Sequence, residues 1–302
     1  MSTKFGYVTI IGKPNAGKST LMNSLLGAKL SIISPKPQTT RKRVLGIVTE
    51  EDTQVVFLDT PGIVKPKYEL HRSMMEIVEQ SLDDADVILA LVDASDQRTF
   101  ATEQIPLVEQ YCRDAGKPSY LLINKMDTLF NKAVVLPTIQ KVLDEGFFKD
   151  YRAISALKGM YTNEILPMIM PSLPYEEFHY DIDVLSTQPQ RFFVSEIIRE
   201  VVFHQYKEEI PYSTEVQIVE FTERENGKWH IHAELIVERD SQKAIIIGAK
   251  GSKIKYLGEK ARTLIEEHLE QKIYLELFVK VRGDWRDNKG ALNSFGYSSM
   301  DM

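Results

Sequence analysis

Eight consecutive residues, Gly12-Lys13-Pro14-Asn15-Ala16-Gly17-Lys18-Ser19, set two glycines, a lysine and a hydroxyl at a spacing suited to gripping phosphate. They stand between an apolar run, Tyr7-Val8-Thr9-Ile10-Ile11, and a helix-forming stretch that begins Thr20-Leu21-Met22. In that setting glycines let the backbone curl until successive N–H groups point at a polyphosphate, and the following helix adds the positive end of its dipole. Lys18 is then placed to reach the β and γ oxygens and the Ser19 hydroxyl to ligate Mg²⁺, with Thr20 next in the cradle. The ligand implied is a nucleoside triphosphate.

A second tetrapeptide selects the base. Asn124-Lys125-Met126-Asp127 follows the apolar residues 119–123, so it emerges at a strand's C-terminal end, on the edge that carries the phosphate loop. The Asp127 carboxylate can accept from both guanine N1–H and the exocyclic amine, a donor pair that adenine lacks. A buried carboxylate left unpaired by adenine is costly, and that is the basis of discrimination. Asn124 either bonds the base edge or ties back to the first loop, and the Lys125 stem can lie along the ring. Ser155-Ala156-Leu157-Lys158 is placed to close the pocket with backbone N–H groups on guanine O6.

Two more segments read the γ-phosphate. Asp59-Thr60-Pro61-Gly62 follows the apolar residues 54–58; its carboxylate can hold Mg²⁺ through water, and the Gly62 N–H can grip the terminal phosphate. Asp287-Asn288-Lys289-Gly290 has the same spacing but no apolar strand before it, and is set aside. Pro37-Gln38-Thr39-Thr40-Arg41 is a polar loop that offers a threonine hydroxyl to the metal, Thr40 preferred and Thr39 the alternative. Lys18, Thr40 and Gly62 are thus the candidate catalytic groups, and Ser19, Thr40 and Asp59 the candidate metal ligands. Segments ordered by γ-phosphate and released after hydrolysis form a two-state switch.

The elements that position these residues follow from periodicity. Apolar strands near 5–11, 44–48, 54–58, 87–92 and 119–123 alternate with amphipathic helices near 20–26, 71–83, 102–114 and 137–145. That order predicts an α/β fold, a P-loop domain with a mostly parallel sheet and its ligand at the C-terminal strand edge. A proline- and acid-rich stretch then breaks the pattern. We place a nucleotide domain at 1–172, a linker at 173–189 and a smaller α+β domain at 190–302.

The second domain reads α, β, β, α, β with a tail, and its Asn226-Gly227 marks a hairpin. An isoleucine-rich lead enters Gly248-Ala249-Lys250-Gly251, a loop of the type that clamps a single-stranded nucleic-acid backbone, and a helix continues from 252 to 269. Sixteen glycines in 302 residues give roughly one such spacing by chance, so the tetrapeptide alone proves nothing. Its surroundings add weight: residues 243–262 carry six basic side chains, Lys250, Lys253 and Lys255 among them, against one acid. The whole protein carries a net charge of −6, so any nucleic-acid contact must be local. Ile247 and Ile254 are either a floor under splayed bases or core. His230 and His232 share a strand face without enough further ligands for a metal.

With these motifs in place, G-x-P-N-x-G-K-S, P-Q-T-T-R, D-T-P-G, N-K-x-D and the C-terminal G-x-x-G, the chain resembles the Era family of GTPases over nearly its whole length. The resemblance implies a G domain followed by a type II KH domain, GTP and GDP as ligands with Mg²⁺, and slow hydrolysis. It further implies binding to small-subunit ribosomal RNA near its 3′ end and a part in small-subunit maturation. Where Ras-like proteins place a water-orienting glutamine, this chain has Ile63, so the resemblance implies catalysis by positioning through backbone, metal and another cation. K⁺-dependent relatives use an asparagine at the position of Asn15 to hold a monovalent cation. The single cysteine, Cys112, excludes an internal disulfide and suits a reducing cytoplasm. No apolar run approaches membrane-spanning length, and the N-terminus enters the first strand without room for a signal peptide. Peripheral contact with the inner membrane stays open. The alternative reading is a GTP-dependent switch whose C-terminal module binds a protein or an anionic membrane surface.

Overall fold

Strands form where β-branched and other apolar residues run together, and helices where apolar residues recur with helical period. The computed structural model describes residues 3–297; Met1, Ser2 and residues 298–302, which fall within the domain spans given above, lie outside the described residues. The chain divides into two compact units, residues 1–65 with 74–187 and residues 66–73 with 188–302.

In chain order the first elements are β1 (Lys4–Ile11), α1 (Lys18–Leu26), β2 (Val44–Glu50), β3 (Thr53–Asp59), α2 (Glu69–Asp83) and β4 (Val87–Asp93). They continue with α3 (Ile105–Ala115), β5 (Ser119–Asn124), α4 (Leu136–Glu145), β6 (Tyr151–Ala153) and α5 (Ile165–Ile169). The six strands form one sheet in the order β2-β3-β1-β4-β5-β6, with only β2 antiparallel to its neighbour. β3 and β5 are buried along their full length, as expected of parallel strands covered on both faces. Register sets Ile10 beside Asp59 and Asp93 beside Asn124, so the ends of β1, β3, β4 and β5 open on one edge. All the nucleotide motifs leave from that edge.

Two segments depart from the periodicity reading. The helix expected over 102–114 starts as a π-helical turn, Phe100–Gln104, before α3. Pro106 has no N–H to continue the regular ladder, and the Gln104 N–H instead reaches back to Thr99 O at 2.9 Å. Residues 175–187, without period in the sequence, lie along the outer edge of the sheet. There Ile47 N–H donates to Leu185 O at 2.8 Å, Ser186 Oγ to Leu45 O at 2.7 Å, and the Gln54 carboxamide bonds the backbone of His179 and Tyr180. They cover an edge strand that would otherwise expose unpaired backbone groups.

The second unit contains α6 (Gln190–Gln205), α7 (Ile210–Ser213), β7 (Glu215–Thr222), β8 (Trp229–Val237), α8 (Asp240–Ile247), α9 (Ser252–Leu269), β9 (Ile273–Val281) and α10 (Lys289–Ser294). β7 and β8 are antiparallel, and β9 runs parallel to β8. The simple order α, β, β, α, β therefore needs correcting by one helix: the lead Ala244-Ile245-Ile246-Ile247 belongs to α8. The Gln242 side chain accepts from the backbone N–H groups of Glu238 and Arg239 at 3.0 and 3.1 Å, which starts the helix directly after β8. Val194, Ile198 and Val202 of α6 meet Leu257, Ala261 and Ile265 of α9 in a core closed by alternating Ile231, Ala233 and Leu235 of β8. The tail folds back, burying Trp285, whose Nε1 donates to Ser213 O at 3.0 Å. Among the described residues no helix is long and apolar enough to cross a membrane.

Candidate functional site

The phosphate loop joins β1 to α1 through Gly17, whose φ of 101° favours glycine and where a Cβ would sit 2.3 Å from Asn124 Nδ2. Close approach of two loops thus requires glycine on geometric grounds as well as conformational ones. Gly62 is similarly confined, since a Cβ there would lie 2.7 Å from Pro14 Cα. The Ile63 N–H donates to Gly12 O at 3.0 Å, and Thr60 Oγ1 donates to Ile10 O at 2.7 Å, so the Asp59-Thr60-Pro61-Gly62 turn is tied to the end of β1 and the start of the phosphate loop.

Lys18 is buried, and its Nζ donates to the carbonyls of Gly12 and Lys13 at 3.2 Å each. Burial pushes its pKa down to about 8, opposed by the charge of Asp59. A desolvated ammonium held only by carbonyls gains from an arriving polyphosphate. Lys13 Nζ pairs with Glu103 Oε2 at 2.6 Å, while Asn15, in a left-handed conformation with φ 65°, donates from Nδ2 to Pro35 O at 2.6 Å. The Ala16 carbonyl accepts from Asn124 Nδ2 at 2.8 Å.

The three candidate metal ligands converge. Ser19 Oγ lies 2.8 Å from Thr40 Oγ1 and 2.6 Å from Asp59 Oδ2. Asp59 is fully buried, and its Oδ1 has no hydrogen-bond partner. Desolvation raises its pKa, against the charge of Lys18 and hydrogen bonds from hydroxyls. An orphaned carboxylate oxygen beside two hydroxyls fits a hard divalent cation, which would supply the missing partner and stabilise the ionised form. Thr39, the alternative, has its hydroxyl spent on Lys36 O at 2.8 Å.

Next to this trio lies a cleft of about 450 Å³ lined by Pro14, Asn15, Lys18, Ser19, Thr20, Asn124, Lys125, Asp127 and Leu157 among others. Of the two roles open to Asn124, the geometry takes the second: its Nδ2 ties to Ala16 and its Oδ1 accepts from the Ala156 N–H at 2.9 Å. The Ala156 donor expected on guanine O6 is therefore committed to Asn124, and buried Ser155 holds the turn by accepting from the Lys158 N–H at 3.2 Å. Asp127 lies half-buried on the cleft wall.

In the second unit, Gly248, Ala249, Lys250 and Gly251 link α8 to α9, with Lys250 and Gly251 at φ 50° and 77°. Lys250, Lys253 and Lys255 are exposed around the loop. A groove of about 310 Å³ runs between α9 and β9, lined by Ile254, Lys255, Gly258, Glu259, Arg262, Tyr274, Leu275 and Leu277. Ile254 thus lines the groove while packing against the core, and Ile247 packs against that core alone. Sequence reasoning missed the β9 contributors, whose alternation of Tyr274, Glu276, Phe278 and Lys280 with Leu275, Leu277 and Val279 marks a strand but not a groove.

The family described as "50S ribosome-binding GTPase" matches residues 7–125, and the KH domain family matches residues 209–286. GTPase Era of Yersinia pestis (strain Pestoides F) is 41% identical over 297 residues, 98% of this chain and 97% of that protein. A crystal structure of Era in complex with MgGDPNP and nucleotides 1506–1542 of 16S ribosomal RNA superposes with a TM-score of 0.90, at 40% identity, over 98% of this chain and 99% of that one. An Aquifex aeolicus Era variant bound to GDP·AlF4⁻ gives 0.92 at 41% identity, over 98% and 100%. The similarity runs through both units, from the phosphate loop to the α8–α9 loop, and the chain belongs to the Era family of GTPases.

Proposed function

We propose that the chain binds GTP and Mg²⁺ in the cleft beside α1, hydrolyses the γ-phosphate bond slowly, and grips small-subunit ribosomal RNA near its 3′ end through the α8–α9 loop and the groove. The observation that carries the nucleotide half is the orphaned Asp59 Oδ1 next to Ser19 and Thr40. Mg²⁺ held there supplies charge neutralisation at the β and γ oxygens. Lys18 meets the same oxygens, and Thr40 and Gly62 sense the terminal phosphate. Asp127 reads the guanine edge. Asn15, fixed through its amide nitrogen, presents its carboxamide oxygen for K⁺ beside the phosphates; equal turnover in Na⁺ and K⁺ removes that ligand from the reading.

Gly248 to Gly251 offers backbone N–H groups to RNA phosphates, Lys250, Lys253 and Lys255 add charge, and bases settle against Tyr274, Leu275 and Leu277. Such a protein works in the cytoplasm, in maturation of the small ribosomal subunit. The relatives' complexes with MgGDPNP, with a 16S fragment and with GDP·AlF4⁻ support each half. The test is the affinity of the full chain for a 3′-terminal small-subunit RNA fragment with nonhydrolysable GTP analogue against GDP. Tighter binding in one state is expected, and equal affinity removes the switch. Anionic vesicles in the same assay distinguish a membrane surface: binding to vesicles and not to RNA overturns the RNA reading.

A further inference from the structure

The π-helical turn Phe100–Gln104 touches the nucleotide cleft's supports at two places, and none of the motifs accounts for it. Gln104 is buried, and its carboxamide grips the backbone of Asp93 at the end of β4: Oε1 accepts the Asp93 N–H at 2.8 Å, and Nε2 donates to Asp93 O at 3.3 Å and to Thr99 Oγ1 at 3.0 Å. The side chain thus serves as one more rung of the sheet where β4 runs out. Asp93 is held in turn by Ser95, whose N–H and Oγ both donate to Oδ1, at 2.9 and 2.5 Å. That leaves Oδ2, which pairs with Lys125 Nζ at 2.6 Å. Lys125 itself occupies a left-handed conformation at φ 64°, which a non-glycine residue keeps only when its surroundings fix it.

We infer that Gln104 and Asp93 are positioning residues that hold Lys125 with its amine pinned outside the base and its aliphatic stem preset along the cleft wall. The inference rests on the assignment of the Asn124–Asp127 turn to guanine. A free lysine would have to surrender its rotamer freedom when the base arrives; here Asp93 has taken it already, so the bound nucleotide keeps the full contact. Glu103, in the same turn, pairs with Lys13 of the phosphate loop, so a single π-helical turn buttresses both the base side and the phosphate side of the cleft.

The test measures dissociation of a fluorescent GDP from the full-length protein. Asp93→Asn weakens the charge-assisted bond to Lys125 while keeping shape, and is expected to speed GDP release roughly tenfold, the scale of one long side chain's rotamer entropy, with association little changed. Lys125→Met keeps the stem and removes the ammonium; in that background Asp93→Asn is expected to have no further effect. Gln104→Glu, of the same size, should accelerate release less than Asp93→Asn. A release rate within twofold of the parent for Asp93→Asn, or an acceleration that persists in full with Lys125→Met, overturns the inference. Asp127→Asn is measured alongside: a shift of preference from guanine to xanthine nucleotides shows the base pocket to be where it is placed, so a failure at Asp93 is then a failure of the relay alone. Unchanged base preference for Asp127→Asn instead overturns the pocket assignment and the relay with it.

Discussion

Two glycine loops in this chain each precede a helix, and each puts a glycine at positive φ just before it: Gly17 at 101° ahead of α1, Gly251 at 77° ahead of α9. Their electrostatics differ sharply. In the first the lysine is buried and desolvated, held by carbonyls, with a hidden carboxylate and two hydroxyls beside it. In the second the lysines stand in water, and only the floor of the adjoining groove is apolar. The same backbone device therefore serves a dry site, where each polar group is worth much and must be matched, and a wet one, where charge attracts and the groove discriminates.

The largest expected effect tests the dry half. Lys18→Ala removes a buried cation from the phosphate cradle and should cost about 2–5 kcal/mol of GTP binding, the scale for breaking a buried charged pair. Calorimetry with GTP and Mg²⁺ measures it, and RNA affinity in the absence of nucleotide should be unaltered. A loss below tenfold means that Lys18 does not meet phosphate.

In the wet half the larger contribution is expected from the floor. Tyr274→Ala removes an exposed ring and should weaken RNA binding by about 1–3 kcal/mol if a base stacks there. Lys250→Glu acts differently, through an exposed charge, and its cost at physiological salt should be about 1 kcal/mol or less. Its signature is instead a salt dependence shallower by about one unit of slope, with GTP affinity intact. If Tyr274→Ala changed the slope and Lys250→Glu did not, the division of labour between floor and rim would be reversed.

The difference between the sites also explains what the sequence made legible. The nucleotide motifs are contiguous, and each follows an apolar strand in a parallel sheet, so local patterning was enough to gather Lys18, Ser19, Asp59 and Asp127 on one edge. The choice of Thr40 over Thr39 was not decidable from adjacent identical residues; it depends on which hydroxyl the loop turns toward Ser19. The groove was half visible. α9 and its cations are local, but Tyr274, Leu275 and Leu277 reach it only through the parallel pairing of β8 with β9, a register no short motif encodes. α8 was missed because four successive apolar residues fit a buried strand or a short helix equally well. Gln104 and Asp93 were missed for a third reason: their contacts come from a π-helical turn, and a ladder shifted by one residue leaves little trace in hydrophobic period.

An effect that vanishes at neutral pH sharpens the contrast most, because it concerns the protonation of one buried amine. Without nucleotide Lys18 titrates at about 8, below the 10.5 of an ordinary lysine, because burial disfavours the ammonium. The sign follows directly: below pH 8 both folded and unfolded chains carry the proton and the burial penalty is present in full, and it is relieved as pH rises from 8 toward 10.5. Bound phosphates favour the ammonium and lift that pKa again. GTP binding should then take up almost no proton at pH 7 and close to one at pH 9, and affinity should be flat below pH 8 and fall by up to tenfold per unit above it. Calorimetry in two buffers of different ionisation enthalpy reads the uptake, and the terminal phosphate, whose second ionisation lies near 6, is already charged at both pH values of interest or nearly so. Equal uptake at the two pH values would put the titrating group somewhere other than Lys18 and remove the desolvated cation from the account of the dry site.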